Sequence, residues 1–319
     1  MSGQGLHPRL LALAARNLRV DWLTVEISGA FADEEIESMV LKGPALAEWL
    51  YPDELRAYAD SDLMVRPEDW QSAVDILERL GFDNYLEPMA HPRMESFAST
   101  AFVRGPDTVD LHCTLHGLDE SPEMVVATLM ATAVRQSIGN AELWVPGQVA
   151  LLLHVGLHAA HHAEGKAIED LRRAIAEAGD GLWAEAVALA RALDGLPAFA
   201  SGLQLLPEGV ALARRLGIEG VRSPRHELRR RRVPVAEGID ALLTPGLGTR
   251  RRAATLAREF FPPAEFMRWW TPLASRGWIG LAAAYAWRMF WLLANAPRGL
   301  YARWRVRRRA ASPAPPSGS

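Results

Sequence analysis

Lysine is nearly missing from this chain of 319 residues: Lys42 and Lys166 are the only two within a Lys+Arg total of 35. A generic positive charge here is written as arginine, so a lysine beside an acidic pair is a pointed choice. Cysteine is scarcer still. Cys113 stands alone, which excludes an intramolecular disulfide and fits a reducing compartment, so a cytoplasmic location is expected. The first ten residues lack a basic stretch followed by an apolar core, so no secretory signal is expected. No uninterrupted apolar run reaches the roughly 20 residues of a spanning helix. The nearest approach, 278–295, carries Arg288 at its middle, at a cost of about 2.5–3.5 kcal/mol in a bilayer centre. It therefore reads as a packed core helix. A helix lying on a membrane is the alternative, favoured by Trp287, Trp291, Trp304 and the basic run 303–309.

The net charge of −3 conceals a strong asymmetry. Residues 1–120 hold 22 acids and 9 bases, whereas residues 221–319 hold 5 acids and 19 bases. The ends of the chain either meet each other or the basic end meets a polyanion. Length and a hydrophobic content of 49% allow two domains with well-packed cores. The organisation expected is a catalytic domain over 1–120, a helical domain over 121–305 and a disordered tail over 306–319. Within the first, helices are expected at 6–20, 44–50 and 67–80, and strands at 61–66, 97–104 and 108–115, the last two as a hairpin around Gly105-Pro106-Asp107. Residues 33–40 read as a short helix or the approach to a first strand. After Pro122 the periodicity is helical, at 122–135, 146–163, 167–178, 181–193, 199–216, 236–243, 250–260, 263–270 and 277–304. Residues 220–235 read as an exposed connection.

The chemistry concentrates in the string Asp60-Ser61-Asp62-Leu63-Met64-Val65. Acids at i and i+2 of a strand face the same way, and two like charges a few ångströms apart repel by about 4 kcal/mol at an effective dielectric near 20. A cation or a shared proton must hold them, and a divalent metal carrying a nucleotide phosphate is the obvious cation. Asp110, on the polar face of a later strand whose apolar face is Val109, Leu111, Cys113 and Leu115, supplies a third acid. Gly43, opening a helix with Pro44 at its first position, suits close approach to phosphate, and Lys42 can reach the same group.

The segment LKGPALAEWLYPDELRAYADSDLMVRPEDWQSAVDILERLGF, followed by VDLHCTLHG, resembles a nucleotidyltransferase family of uncharacterised bacterial proteins within the polymerase-beta-type superfamily. The matching residues are Leu41-Lys42-Gly43, Tyr51, Arg56, Asp60, Asp62, Gly81-Phe82 and 109–112. Two departures stand out: Cys113 occupies a usual tryptophan position, and Lys42-Gly43 replaces the glycine pair that usually precedes the acids. The resemblance implies an α+β fold, a small mixed sheet with flanking helices followed by a mostly helical domain. It implies Mg²⁺ on Asp60, Asp62 and Asp110, an NTP donor such as ATP held by Lys42, Gly43, Arg56 and His112, and transfer of an NMP to an acceptor hydroxyl of a small molecule, a peptide or RNA.

Arg56 either touches phosphate or bridges to Asp53 or Glu54. His112 either orients Asp110 or the nucleotide, or makes a structural hydrogen bond. His154, His158, His161 and His162 share roughly 100° of one helix face; they line a substrate cleft, with Asp170, or hold zinc. The arginine-rich stretch 222–232 and the run 303–309 are a solvated face or an RNA grip. Two rival functions remain: an inactive nucleotide-binding or regulatory module, as in a toxin–antitoxin pair, and a membrane-peripheral interaction protein.

Overall fold

The computed structural model describes residues 8–84, 99–243 and 249–311. These form two compact units, residues 8–84 with 99–217, and residues 218–311. The boundary expected near residue 120 lies inside the first unit.

That unit opens with α1 (Pro8–Ala32), then β1 (Ser38–Val40), α2 (Pro44–Leu50), β2 (Ser61–Val65), α3 (Trp70–Arg79), β3 (Asp83–Asn84), β4 (Ser99–Arg104), β5 (Asp107–His112) and α4 (Pro122–Met130). A hairpin of β6 (Val134–Ile138) and β7 (Ala141–Val145) follows. The unit closes with α5 (Gln148–His162), α6 (Gly165–Glu177), α7 (Asp180–Ala192), α8 (Leu196–Leu203) and α9 (Pro207–Arg215). All seven strands form one mixed sheet in the order β3-β4-β5-β2-β1-β7-β6. Central β2 runs antiparallel to β1 and parallel to β5, pairing Asp62 with Asp110 and Leu63 with Leu111.

Every residue of β2 is buried, as expected of a strand covered on both faces. On one face α1 is tied to the strand by the Thr24 and Ser61 hydroxyls, 2.8 Å apart. Asp62 and Met64 therefore occupy the other face. In the helical half, α5 and α8 cross at glycines: a Cβ on Gly202 would stand 1.9 Å from the Gly156 carbonyl oxygen.

Several expectations change. Helix α1 runs twelve residues past 20, because its buried polar residues Asn17, Thr24 and Ser28 blur the apolar stripe. The helix expected over 122–135 stops at Met130, and the β6–β7 hairpin fills the gap through a two-residue turn, Gly139-Asn140. The helix expected over 199–216 is two, since Pro207 starts α9 at a position where its missing N–H costs nothing. The outer ends of the expected helix 6–20 and strand 97–104 lie outside the described residues.

The second unit holds α10 (Pro224–Arg230), α11 (Ala236–Leu242), α12 (Thr249–Phe260), α13 (Ala264–Trp270) and the 35-residue α14 (Gly277–Ala311). The stretch 220–235 is thus no bare connection: Leu228 is fully buried, in a cluster with Ala236, Ala302 and Val306. Helix α14 continues through 306–311, where disorder was expected; residues 312–319 lie outside the described part. Arg288 is buried and donates from Nε to the Glu259 carbonyl at 2.9 Å. Among the described residues no helix is long and apolar enough to cross a membrane.

Candidate active site

The site begins with a turn. Lys42-Gly43-Pro44-Ala45 closes with an Ala45 N–H to Lys42 carbonyl bond of 3.3 Å. Gly43 takes φ 59° and ψ −112°, the first central position of a type II′ turn and open chiefly to glycine. Pro44 then starts α2. The turn leaves Lys42 beside β2, its Nζ 2.6 Å from Asp62 Oδ1. On the next strand Asp110 is the direct register partner of Asp62. His112, two residues on and so on the same face, points Nε2 at Asp62 Oδ1 from 3.4 Å.

One ligand atom from each of Asp62, Asp110 and His112 lies within 4.8 Å of the other two. It is the one such group among the described residues. Two carboxylates and an imidazole are donors that suit a divalent cation. His112 Nδ1 is buried without a hydrogen-bond partner, and one ligand atom from each of the three side chains converges on the same point, so the residues present fit a metal. Asp60, one residue before β2 and half-buried, stands outside the group. Its charge nonetheless reaches Lys42 and Asp110, raising the pKa of each.

The two aligned acids differ. Burial alone would raise the Asp62 carboxyl, but the Lys42 ammonium, with His112, pulls it well below the ordinary carboxylate range. Asp110 has no cation of its own; burial and then the Asp62 charge push it up to about 6. Burial works to neutralise Lys42, yet the attraction of Asp62, Asp60 and Asp110 holds its pKa above the usual value. The ionised pair is therefore Lys42–Asp62, and Asp110 is the group poised to exchange a proton near neutral pH.

Arg56 pairs with Asp170, where Asp53 or Glu54 was expected. It is buried, with Nε 2.9 Å from Asp170 Oδ1 and Nη2 2.6 Å from Oδ2. Tyr51 Oη donates to the same Asp170 Oδ1 at 2.8 Å. Its Nη1 reaches back to the Gly43 carbonyl at 3.4 Å, so Arg56 fixes the turn and is fully engaged in doing so. Asp170 is accordingly a buried anchor.

The histidine row leaves the metal group and runs along α5. His154 is buried, its pKa pressed to about 3 by burial and by the Lys42 charge. His158 is lowered too, by burial, then Lys42 and His154. Both are neutral at pH 7. The rings continue through His162 and His161 to His116, which stacks on His161 at 4.2 Å between centroids. The zinc alternative finds no cluster of three ligand atoms there among the described residues.

Lys166 escaped the sequence reading. From α6 it donates to the Ala57 carbonyl at 3.0 Å, and Asp60 and Lys42 both act on its pKa, which burial and then Arg56 lower. Its rarity was the signal: both lysines of the chain are drawn into the field of Asp60.

The family match defines the class of this chain as a nucleotidyltransferase. The chain belongs to the family described as uncharacterised nucleotidyltransferase, whose model matches residues 4–209. No curated protein matches the chain. Among solved structures, the antibiotic-resistance factor ANT(2″)-Ia in solution is 17% identical with a TM-score of 0.41, over 55% of this chain and 94% of that one. A crystal structure of ANT(2″)-Ia with adenylyl-2″-tobramycin gives 17%, 0.40, 54% and 97%. An antigenic nucleotidyltransferase-like protein from Paracoccidioides brasiliensis gives 14%, 0.34, 62% and 96%.

Proposed function

We propose that this protein moves an NMP from an NTP, ATP being the first candidate, to an acceptor hydroxyl, with Mg²⁺ held by Asp62 and Asp110 and approached by Asp60. The observation that carries this reading is the register match of Asp62 with Asp110 on parallel neighbouring strands, with His112 converging on the same point. Mg²⁺ takes oxygen ligands and, when bound, neutralises phosphate charge as the α-phosphorus is attacked.

The chain's own residues supply position and proton transfer. Lys42 offers a fixed positive charge and the Gly43 turn a tight backbone bend to phosphate, and Arg56 holds that turn still. The acceptor oxygen bonds to the α-phosphorus, the bond to the β-phosphate oxygen breaks, and pyrophosphate departs. Asp110, the acid in register with Asp62, takes the acceptor's proton. His112 is within reach of Asp62 and orients the pair. The acceptor class is a small molecule, a peptide or RNA, and a cytoplasmic setting fits the single cysteine.

A second reading has its own observation. Lys42 already neutralises Asp62 at 2.6 Å, so the protein can hold its acids without a metal and serve as a nucleotide-binding regulator. Incubation with α-labelled ATP, GTP, CTP and UTP plus Mg²⁺, against an Asp62→Asn, Asp110→Asn double variant, separates the two. Metal-dependent transfer with pyrophosphate release, lost in the variant, is the expected result. Metal-independent nucleotide binding without transfer establishes the second reading, and no nucleotide binding at all overturns both.

A further inference from the structure

Helix α14 is polar on the wrong side. From Gly277 to Pro297 it runs for about 31 Å at 1.5 Å per residue, and its single charged residue there, Arg288, is buried against Glu259. Its solvent face instead carries Trp278, Ile279, Trp287, Met289, Phe290 and Leu293. Trp278 is 80% and Phe290 62% exposed. A water-facing helix surface of this length ordinarily carries charge, and a continuous apolar strip of this kind marks a surface that something covers.

The charges of the same unit say what covers it. The 5 acids of residues 221–319 face 19 bases. Two of those acids, Asp240 and Glu259, are buried. Asp240 is bound by Arg303 and Arg307, and Glu259 by Arg288. Beyond Pro297 the outer face turns basic, with exposed Arg298 before, and exposed Arg305 and Arg309 after, the exposed rings of Tyr301 and Trp304. Apolar length, a tryptophan and tyrosine border and arginines with few exposed acids are the requirements of a helix lying in the plane of an anionic bilayer. Spanning is excluded for this helix by its insufficient apolar length.

We propose that the outer face of α14 seats the protein on an anionic membrane surface, with the aromatic strip in the interfacial layer and the C-terminal arginines at the lipid phosphates. The inference stands on the second unit and does not depend on the nucleotidyl-transfer reading.

The test is flotation of the full-length protein with phosphatidylcholine vesicles and with phosphatidylcholine–phosphatidylglycerol vesicles, monitored also by tryptophan fluorescence. The wild type should float with the anionic vesicles and shift its emission to the blue. An exposed-face variant, Trp287→Glu with Phe290→Glu, should lose binding while keeping its circular dichroism and melting curve. Arg305→Glu with Arg309→Glu should cut the anionic partition coefficient by about tenfold or more and leave the folded state intact. Absence of flotation with either vesicle overturns the proposal, and so does equal binding to both. A concentration-dependent dimer that Trp287→Glu with Phe290→Glu dissolves, with no vesicle binding, overturns it in favour of an interface between copies.

Discussion

Two buried charge clusters sit on either side of one glycine turn, and they are built to opposite rules. Around Arg56, one guanidinium meets one carboxylate through both oxygens of Asp170, and Tyr51 completes the shell. Around Asp62, two acids lie in register, one lysine is paired with Asp62 alone, and a neighbouring imidazole nitrogen has no partner. The first cluster is closed: charge and hydrogen-bonding capacity are matched. The second has an excess of negative charge in a place where that is expensive. Balance marks the structural cluster and imbalance the one proposed to carry the chemistry.

The largest effect should come from breaking the balanced side. Removing one partner of a buried pair strands the other, at about 3–5 kcal/mol. Asp170→Asn or Arg56→Met should therefore lower Tm by something on the order of 10 °C. Arg56→Met combined with Asp170→Leu should recover much of the loss. A melt unchanged in either single variant would deny that the cluster anchors the fold.

On the unbalanced side the sign should reverse. With its folded-state pKa raised to about 6, Asp110 holds a proton that the unfolded chain gives up near the ordinary value. Its favourable contribution is full below that value and is lost as pH rises through about 6. In chelator, Asp110→Asn should thus be more stable than wild type at pH 7, by up to roughly 2–3 kcal/mol, and the advantage should fade towards pH 4. Mg²⁺ or Mn²⁺ should raise the Tm of the wild type and leave the variant unmoved. An Asp110→Asn protein that melts earlier than wild type at pH 7 would end this contrast.

The smallest effect should fall on the turn between the clusters. A side chain at Gly43 meets only ordinary contacts with the Tyr58 ring, 3.6 Å away, so the cost of Gly43→Ala is backbone strain of about 1–3 kcal/mol. It should appear as a drop of a few degrees in Tm together with weaker nucleotide binding, as Lys42 and the Arg56 contact shift. Equal Tm and equal nucleotide affinity would show the turn to be incidental.

Much of this was legible along the chain, for identifiable reasons. That Asp62, Asp110 and His112 lie close together was readable because strand alternation fixes which side chains share a face; Asp60, one residue before β2, falls outside that group. Asp170 as the partner of Arg56 was not readable: 114 residues separate them, and no local pattern encodes which distant carboxylate an arginine finds. The β6–β7 hairpin had a signal in Gly139-Asn140, a pair favoured in two-residue hairpin turns, but short, half-exposed strands give little alternation around it. The length of α1 was hidden by core polar groups: Asn17 binds the Arg56 carbonyl at 2.7 Å and Thr24 the Val20 carbonyl at 2.8 Å.

The parallel pairing of β2 with β5 also sets a timetable. His112 stands 50 residues beyond Asp62, and two more strands and a helix are threaded between them. A nascent chain interrupted before Thr108 carries Asp60, Asp62 and Lys42 but neither Asp110 nor His112, so the three-residue group is incomplete. The group is complete only once these distant segments pair as neighbouring strands.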